Sequence, residues 1–277
     1  MAERHGTIGP MVIDSPANPK VRAAAALRER RDRDRTGLTL VDGAREARRA
    51  IEAGVEVETA FVCPELATGA EAHAALAALR AAGGAGRVIE VGGRAFEKLA
   101  YGDRSDGIVL VVRPPSATLD RLALGPDPLV IVTEAVEKPG NLGAILRSAD
   151  GAGADAVVAV GGTDLFNPNV IRASVGTVFS VPIAAATAAE ARAWLLARGI
   201  RLLAARTDAS HLHVEADLRG PLAIVLGSEA RGLSATWAGP DVEGVRLPMA
   251  GIADSLNVSV AGGVLLYEAW RQRHPGG

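Results

Sequence analysis

The sequence predicts an α/β protein in two parts, the second built on a mostly parallel sheet. Three observations carry this. Short apolar runs alternate with helix-patterned segments along the chain, as βαβ units do. In the second part the runs at 129–132, 156–160, 202–205 and 222–226 are apolar throughout, the pattern of strands covered on both faces. Between them and the first part, Pro114-Pro115-Ser116 through Pro126-Asp127-Pro128 is the most linker-like stretch in the chain. These place a first domain at 1–113, a linker at 114–127 and a second domain at 128–277.

Taken in order, residues 1–13 read as a loose tail. Pro19 suits the first turn of a helix over 20–33, where Ala and Leu alternate with Arg. A strand at 38–41, a helix at 44–53 ended by Gly54 and a strand at 55–63 follow. An alanine-rich helix at 70–82 stops at Gly83-Gly84, before a strand at 88–91, a short helix at 94–99 and a strand at 107–113. The second domain opens with the strand 129–132. Glu137-Lys138-Pro139-Gly140 then leads to Asn141 and a helix with Leu142, Ile145, Leu146 and Ala149 on one face and Arg147 on the other. Next come a strand at 156–160, a helix at 168–178, a strand at 180–183 and an amphipathic helix at 188–198 ended by Gly199. Strands at 202–205, 222–226 and 244–247 precede a last helix running through Trp270.

Composition narrows the function classes. At 277 residues, 48% hydrophobic and 22% charged, the chain can bury a substantial core, packed mainly from Ala, Val, Leu and Ile because aromatics are 3%. The single Cys63 excludes an internal disulfide and a multi-cysteine metal site and suits a reducing cytosol; between Phe61-Val62 and Pro64 it reads as an inert residue ending a buried strand. There is no basic-then-apolar leader pattern and no apolar run near about 18 residues, which predicts a cytoplasmic protein with no membrane partner. Arginine outnumbers lysine 27 to 3, a bias that reads as a GC-rich genome. Net charge is −2, which argues against a general nucleic-acid coat, yet residues 15–50 hold ten basic side chains against five acidic ones. That window fits contacts to a nucleic-acid backbone, and it equally fits a solvated helix face laced with i,i+4 pairs.

The usual nucleotide fingerprints are missing. No Gly-x-Gly-x-x-Gly follows a strand, Val91-Gly92-Gly93-Arg94 lacks the spacing, and there is no P-loop. His211-x-His213 has no third ligand at a recognisable spacing and reads as surface loop, so no metal site is expected. Three stretches instead follow strand ends on the carboxyl edge of the sheet, where open α/β folds bind ligands. They are Asn141-Leu142-Gly143-Ala144-Ile145-Leu146-Arg147-Ser148, Leu226-Gly227-Ser228-Glu229-Ala230-Arg231-Gly232-Leu233, and the segment 247–260. In the last, Ser255, Asn257 and Ser259 interleave with Leu256, Val258 and Val260 at a helix start, where unsatisfied N–H groups can hold a ligand. Each alone fits a capped helix or a turn. Their occurrence together, in this order, is far more specific.

Together they resemble the three motifs of the SpoU/TrmH branch of the SPOUT methyltransferases, over about 128–277. The first domain is similar to that family's ribosomal-protein-like substrate-binding module, through Asn18-Pro19-Lys20-Val21, Leu40-Val41-Asp42-Gly43-Ala44-Arg45-Glu46 and Asp106-Gly107-Ile108-Val109; Asp42 stands where glutamate is more usual. The resemblance implies a C-terminal domain tied in a trefoil knot, an exception to the rule that connections do not thread loops. It also implies a homodimer with the active site at the subunit interface, and S-adenosylmethionine as methyl donor without a metal. The implied reaction is methylation of a ribose 2′-hydroxyl, with 23S rRNA favoured as substrate and tRNA second. Some relatives in antibiotic producers confer self-resistance this way. The resemblance carries catalytic roles to Asn141, Arg147, Glu229, Ser255 and Asn257, and cofactor binding to Gly227, Leu247 and Leu256. It carries RNA contacts to Arg172, Lys20 and Arg45; for Arg172 a surface salt bridge is the competing reading. A guanidinium is a poor proton acceptor, so between a base and a bidentate clamp on the target phosphate the clamp is the preferred reading of Arg147 on physical grounds, and the sequence leaves the choice open. A catalytically silent RNA-binding or ribosome-assembly factor is the alternative of another class, and intact Asn141, Arg147, Glu229 and Asn257 speak against it.

Overall fold

The computed structural model describes residues 12–100 and 106–276, so most of the expected tail lies outside the described residues. Ile13, its last residue, is not loose: it bridges to Val91, its N–H donating to Glu90 O at 3.0 Å. The chain divides into two compact units, Met1–Pro114 and Pro115–Gly277.

Unit 1 contains α1 (Pro19–Ala26), α2 (Arg30–Thr36), β1 (Thr39–Asp42), α3 (Ala44–Glu52), β2 (Glu56–Val62), α4 (Ala70–Ala81), β3 (Val88–Glu90), α5 (Gly93–Leu99) and β4 (Ile108–Arg113). Its sheet runs β1-β4-β2-β3, with β4 antiparallel to both neighbours and β3 parallel to β2. The single helix expected over 20–33 is two. Arg33 turns inward, 6% exposed, and donates to the carbonyls of Leu27 (2.9 Å) and Arg28 (2.6 Å), satisfying backbone acceptors that a continuous helix would have used. Cys63 is buried at the end of β2.

Unit 2 contains β5 (Leu129–Glu134), α6 (Pro139–Gly151), β6 (Ala156–Val160), α7 (Pro168–Ala173), β7 (Ile183–Ala186), α8 (Ala188–Leu196), β8 (Arg201–Ala205), β9 (His211–Leu212), β10 (Leu222–Leu226), β11 (Val242–Arg246) and α9 (Val258–Arg273). The sheet order is β7-β6-β5-β10-β8-β11-β9, and every neighbouring pair is parallel. Strands β5, β6 and β10 are buried at every position, which explains their unbroken apolar sequence. The helix expected over 168–178 stops at Ala173 because Val175 adopts a left-handed φ of 55°. The strand expected at 180–183 starts only at Ile183, after Pro182, which has no N–H to give a ladder. Residues 115–128 lie against this unit: Leu122 is buried in its core, and Ala117 O accepts the N–H of Ala185 at 2.8 Å. Among the described residues no helix is long and apolar enough to cross a membrane.

This strand order decides where the site forms. Because β10 and β11 insert beside β8, the carboxyl ends of β5, β10, β8 and β11 are neighbours, and their four loops open on one sheet edge.

Candidate active site

After β5, Ala135 takes a left-handed φ of 53° and turns the chain into α6. Pro139 occupies the first turn of that helix, where a missing N–H costs nothing, and Asn141 falls in the same turn. After β10, Gly227 starts a tight turn closed by Gly232 N donating to Ser228 O at 2.9 Å. A Cβ on Gly227 would lie 2.4 Å from the Gly232 carbonyl carbon, so no larger residue fits there. Buried Glu134 ties the same loop back to β5, its carboxylate accepting the N–H (2.7 Å) and hydroxyl (2.8 Å) of Ser234.

Asn257 is the N-cap of α9. Its Oδ1 accepts from Ser259 N (3.0 Å) and Ser259 Oγ (2.6 Å), which fixes the amide and turns Nδ2 outward. There Nδ2 donates to Asn141 Oδ1 (3.0 Å) and Glu229 Oε1 (2.5 Å), while Asn141 Nδ2 donates to Glu229 Oε1 (3.3 Å). One residue from each of the three sequence motifs thus meets in one hydrogen-bonded cluster. Glu229 Oε2 accepts from Lys138 Nζ at 3.0 Å, and that ammonium holds the carboxyl below its ordinary value. A carboxylate stabilised in its charged form is a poor proton acceptor.

Beside the cluster lies a cleft of about 620 Å³ walled by the loops after β8, β10 and β11 and by α9. Gly227, Leu247, Leu256 and Ser255 all line it; Leu226, Leu233, Val258 and Leu265 add apolar wall. Its size and its mixture of apolar side chains and exposed main chain fit an adenosine-type ligand, within the roughly 300–1,000 Å³ of small-molecule sites. Two participants were not picked out by sequence. Lys138 stands three residues before Asn141 but carried no motif of its own. The wall formed by Arg206, Thr207 and Asp208 depends on the position of β8 in the sheet.

Arg147 is exposed on α6, opposite buried Leu142, Ile145, Leu146 and Ala149, and among the described residues its side chain has no hydrogen-bond or ion-pair partner. Arg172 is half-buried on α7. In unit 1, Lys20 is exposed with no side-chain partner among the described residues. Arg45 lies 3.9 Å from Glu71, and Arg48 pairs with both Glu71 (3.0 Å) and Glu52 (3.0 Å). Part of the basic window is therefore laced, Arg30–Asp34 (3.7 Å) included. His211 is not in a surface loop but on edge strand β9, paired with Val245, and His213 Nδ1 is buried without a hydrogen-bond partner among the described residues. Among the described residues no three His, Cys, Asp or Glu side chains group as a metal site.

The SpoU rRNA Methylase family model matches residues 128–267, and an MRM3-like substrate binding domain matches residues 18–110. The chain is 32% identical over 263 residues to the 23S rRNA (uridine(2479)-2′-O)-methyltransferase of Streptomyces viridochromogenes, covering 91% of this chain and 89% of that protein. A crystal structure of an RNA 2′-O ribose methyltransferase superposes with a TM-score of 0.82 at 43% identity, over 95% of this chain and 99% of the other. The AdoMet-bound rRNA methyltransferase of Sinorhizobium meliloti superposes with a TM-score of 0.83 at 30% identity, over 94% and 97%. The chain belongs to the SpoU rRNA methylase family.

Proposed function

We propose that this protein methylates a ribose 2′-hydroxyl of 23S rRNA in the cytoplasm, using S-adenosylmethionine, as a homodimer with a trefoil-knotted catalytic domain over 128–277 and an RNA-binding domain over 1–113. The observation that carries the reading is the Asn141–Glu229–Asn257 cluster at the lip of a cleft sized for the methyl donor. The rRNA and AdoMet named for the relatives support the substrate and the donor.

The donor supplies a methyl group on a sulfonium centre, open to in-line attack by the ribose oxygen. The chain must place that oxygen and take up its proton. Gly227, Leu247 and Leu256 hold the donor with main chain and apolar surface. Arg147, which has no partner among the described residues, forks onto a phosphate beside the target ribose, and that phosphate accepts the hydroxyl proton. Glu229, kept ionised by Lys138, serves as an anchor and not as the base: with Asn141 it holds the amide of Asn257, and with it the loops around the ribose, in register. Ser255 reaches the same ribose from the loop before α9. Lys20, Arg45 and Arg172 contact RNA farther out.

The dimer reading rests on α9, which is apolar on two faces. Leu265, Leu266 and Ala269 are buried, while Val260 (51%), Val264 (39%) and Tyr267 (52%) form an exposed stripe opposite them. Val264→Glu is expected to give monomers in sedimentation equilibrium. The function itself is tested by tritiated methyl transfer to rRNA and tRNA pools, followed by mapping of the modified nucleotide. Label in 23S rRNA is expected. Label in tRNA alone overturns the substrate, and no label despite measurable donor binding restores the silent RNA-binding reading.

A further inference from the structure

Six charged side chains line the cleft: Arg206, Asp208, Glu229, Arg231, Arg246 and Asp254. Four are already engaged. Arg206 forks onto Asp208 (2.9 and 3.0 Å), Glu229 holds Lys138 (3.0 Å), and Arg231 faces Glu137 (3.7 Å). Arg246 and Asp254 make neither a side-chain hydrogen bond nor an ion pair with any described residue. Arg246 ends β11 and is half-buried, and Asp254 stands on the returning arm of the same loop, with Leu247 between them in sequence. A guanidinium withdrawn partly from water without a counter-charge is unfavourable unless a ligand supplies one. Among the described residues, then, the cleft holds one half-buried cation and one exposed anion without a protein partner. That is the complement of a zwitterion, and the methyl donor carries one at its amino-acid end.

We propose that Arg246 and Asp254 bind the amino-acid end of the methyl donor, Arg246 taking its α-carboxylate and Asp254 its α-ammonium; this rests on the cleft being the donor site. Arg206 and Asp208 are less suited, because each would have to release the other first. The arrangement makes the site selective for the donor and its product over nucleosides that lack the amino-acid tail. It leaves adenine and ribose to the apolar wall and the main chain.

The test is calorimetry on the full chain with S-adenosylhomocysteine and with 5′-methylthioadenosine, which shares the nucleoside but has no zwitterion. Arg246→Met and Asp254→Asn are each expected to weaken S-adenosylhomocysteine by about tenfold or more, as loss of a charged hydrogen bond does, and to leave methylthioadenosine unchanged. Arg246→Lys should fall between wild type and Arg246→Met. Unchanged methylthioadenosine binding also shows that the variants are folded. The proposal is overturned if S-adenosylhomocysteine binding is unaffected, or if both ligands weaken equally, which would assign the pair to the ribose or to loop structure. Wild-type protein that bound neither ligand would instead remove the donor-site reading itself.

Discussion

Helices α3 and α6 both follow a strand end and both present arginine to solvent, but they hold it differently. On α3, Arg45 and Arg48 converge on Glu71 from α4, and Arg48 also takes Glu52 one turn on; Arg48, above all, keeps the Glu71 carboxyl below its usual range. On α6, Lys138 and Asn141 at the start of the helix are committed to Glu229, while Arg147 has no partner among the described residues. A fork already filled by carboxylate must be emptied before it can grip a phosphate. One left open offers its full bidentate geometry to a ligand. A count of basic residues therefore overstates the attraction of α3 for RNA and says nothing of the readiness of α6.

The strongest way to break this contrast is to change Arg147. Arg147→Ala should lower kcat by about 100-fold or more, in line with loss of one preorganised group at a transition state, and Arg147→Lys should recover little because lysine has no fork. Near-normal turnover by Arg147→Lys in steady-state assays would remove the clamp. Asn257→Ser comes next. Serine still caps α9, so the melting temperature should hold, but it cannot reach Asn141 and Glu229, and kcat should drop by roughly tenfold or more. If activity survives that change, the cluster is only a helix cap. Lys138→Met should act through pH. Glu229 sits below its ordinary value because of Lys138, so its ionised form persists to lower pH than an isolated glutamate's. Without Lys138 the carboxyl protonates sooner, and the acid limb of the kcat profile should move upward. An unmoved limb would mean that the charge on Glu229 does not matter to turnover.

These residues differ in how far the sequence exposed them. Asn141, Glu229 and Asn257 stood in three motifs at strand ends, and the parallel sheet followed from apolar runs such as 222–226. The strand order could not be read, because period-2 and apolar patterns carry no pairing information; without it, nothing brought Arg206, Thr207 and Asp208 to the cleft. Strand β9 is two residues long, too short for any periodicity. The break between α1 and α2 turns on Arg33 facing inward, against the usual exposure of its type. Arg48–Glu52 was legible as an i,i+4 pair, whereas Glu71 reaches α3 only because α4 packs on it.

That last contact yields the smallest expected effect and the finest test of the contrast. Glu71→Gln should free Arg45 and leave Arg48 with Glu52 alone, with the α3–α4 packing intact, since Ala72, Ala75 and Leu79 supply the buried face of α4. Exposed pairs of this kind are worth about 0–1 kcal/mol, so the gain in RNA affinity should not exceed about fivefold. The salt dependence is more telling than the affinity. If a freed arginine meets a phosphate, the slope of log K against log salt should steepen by about one in filter binding. A steeper slope would give α3 a place on the RNA that Glu71 partly masks. An unchanged slope would leave α3 off the RNA path, with its arginines serving only to join two helices. A loss of affinity would mean that Glu71 holds the forks in the orientation RNA requires, and pairing on α3 would then be preparation for binding, as openness is on α6.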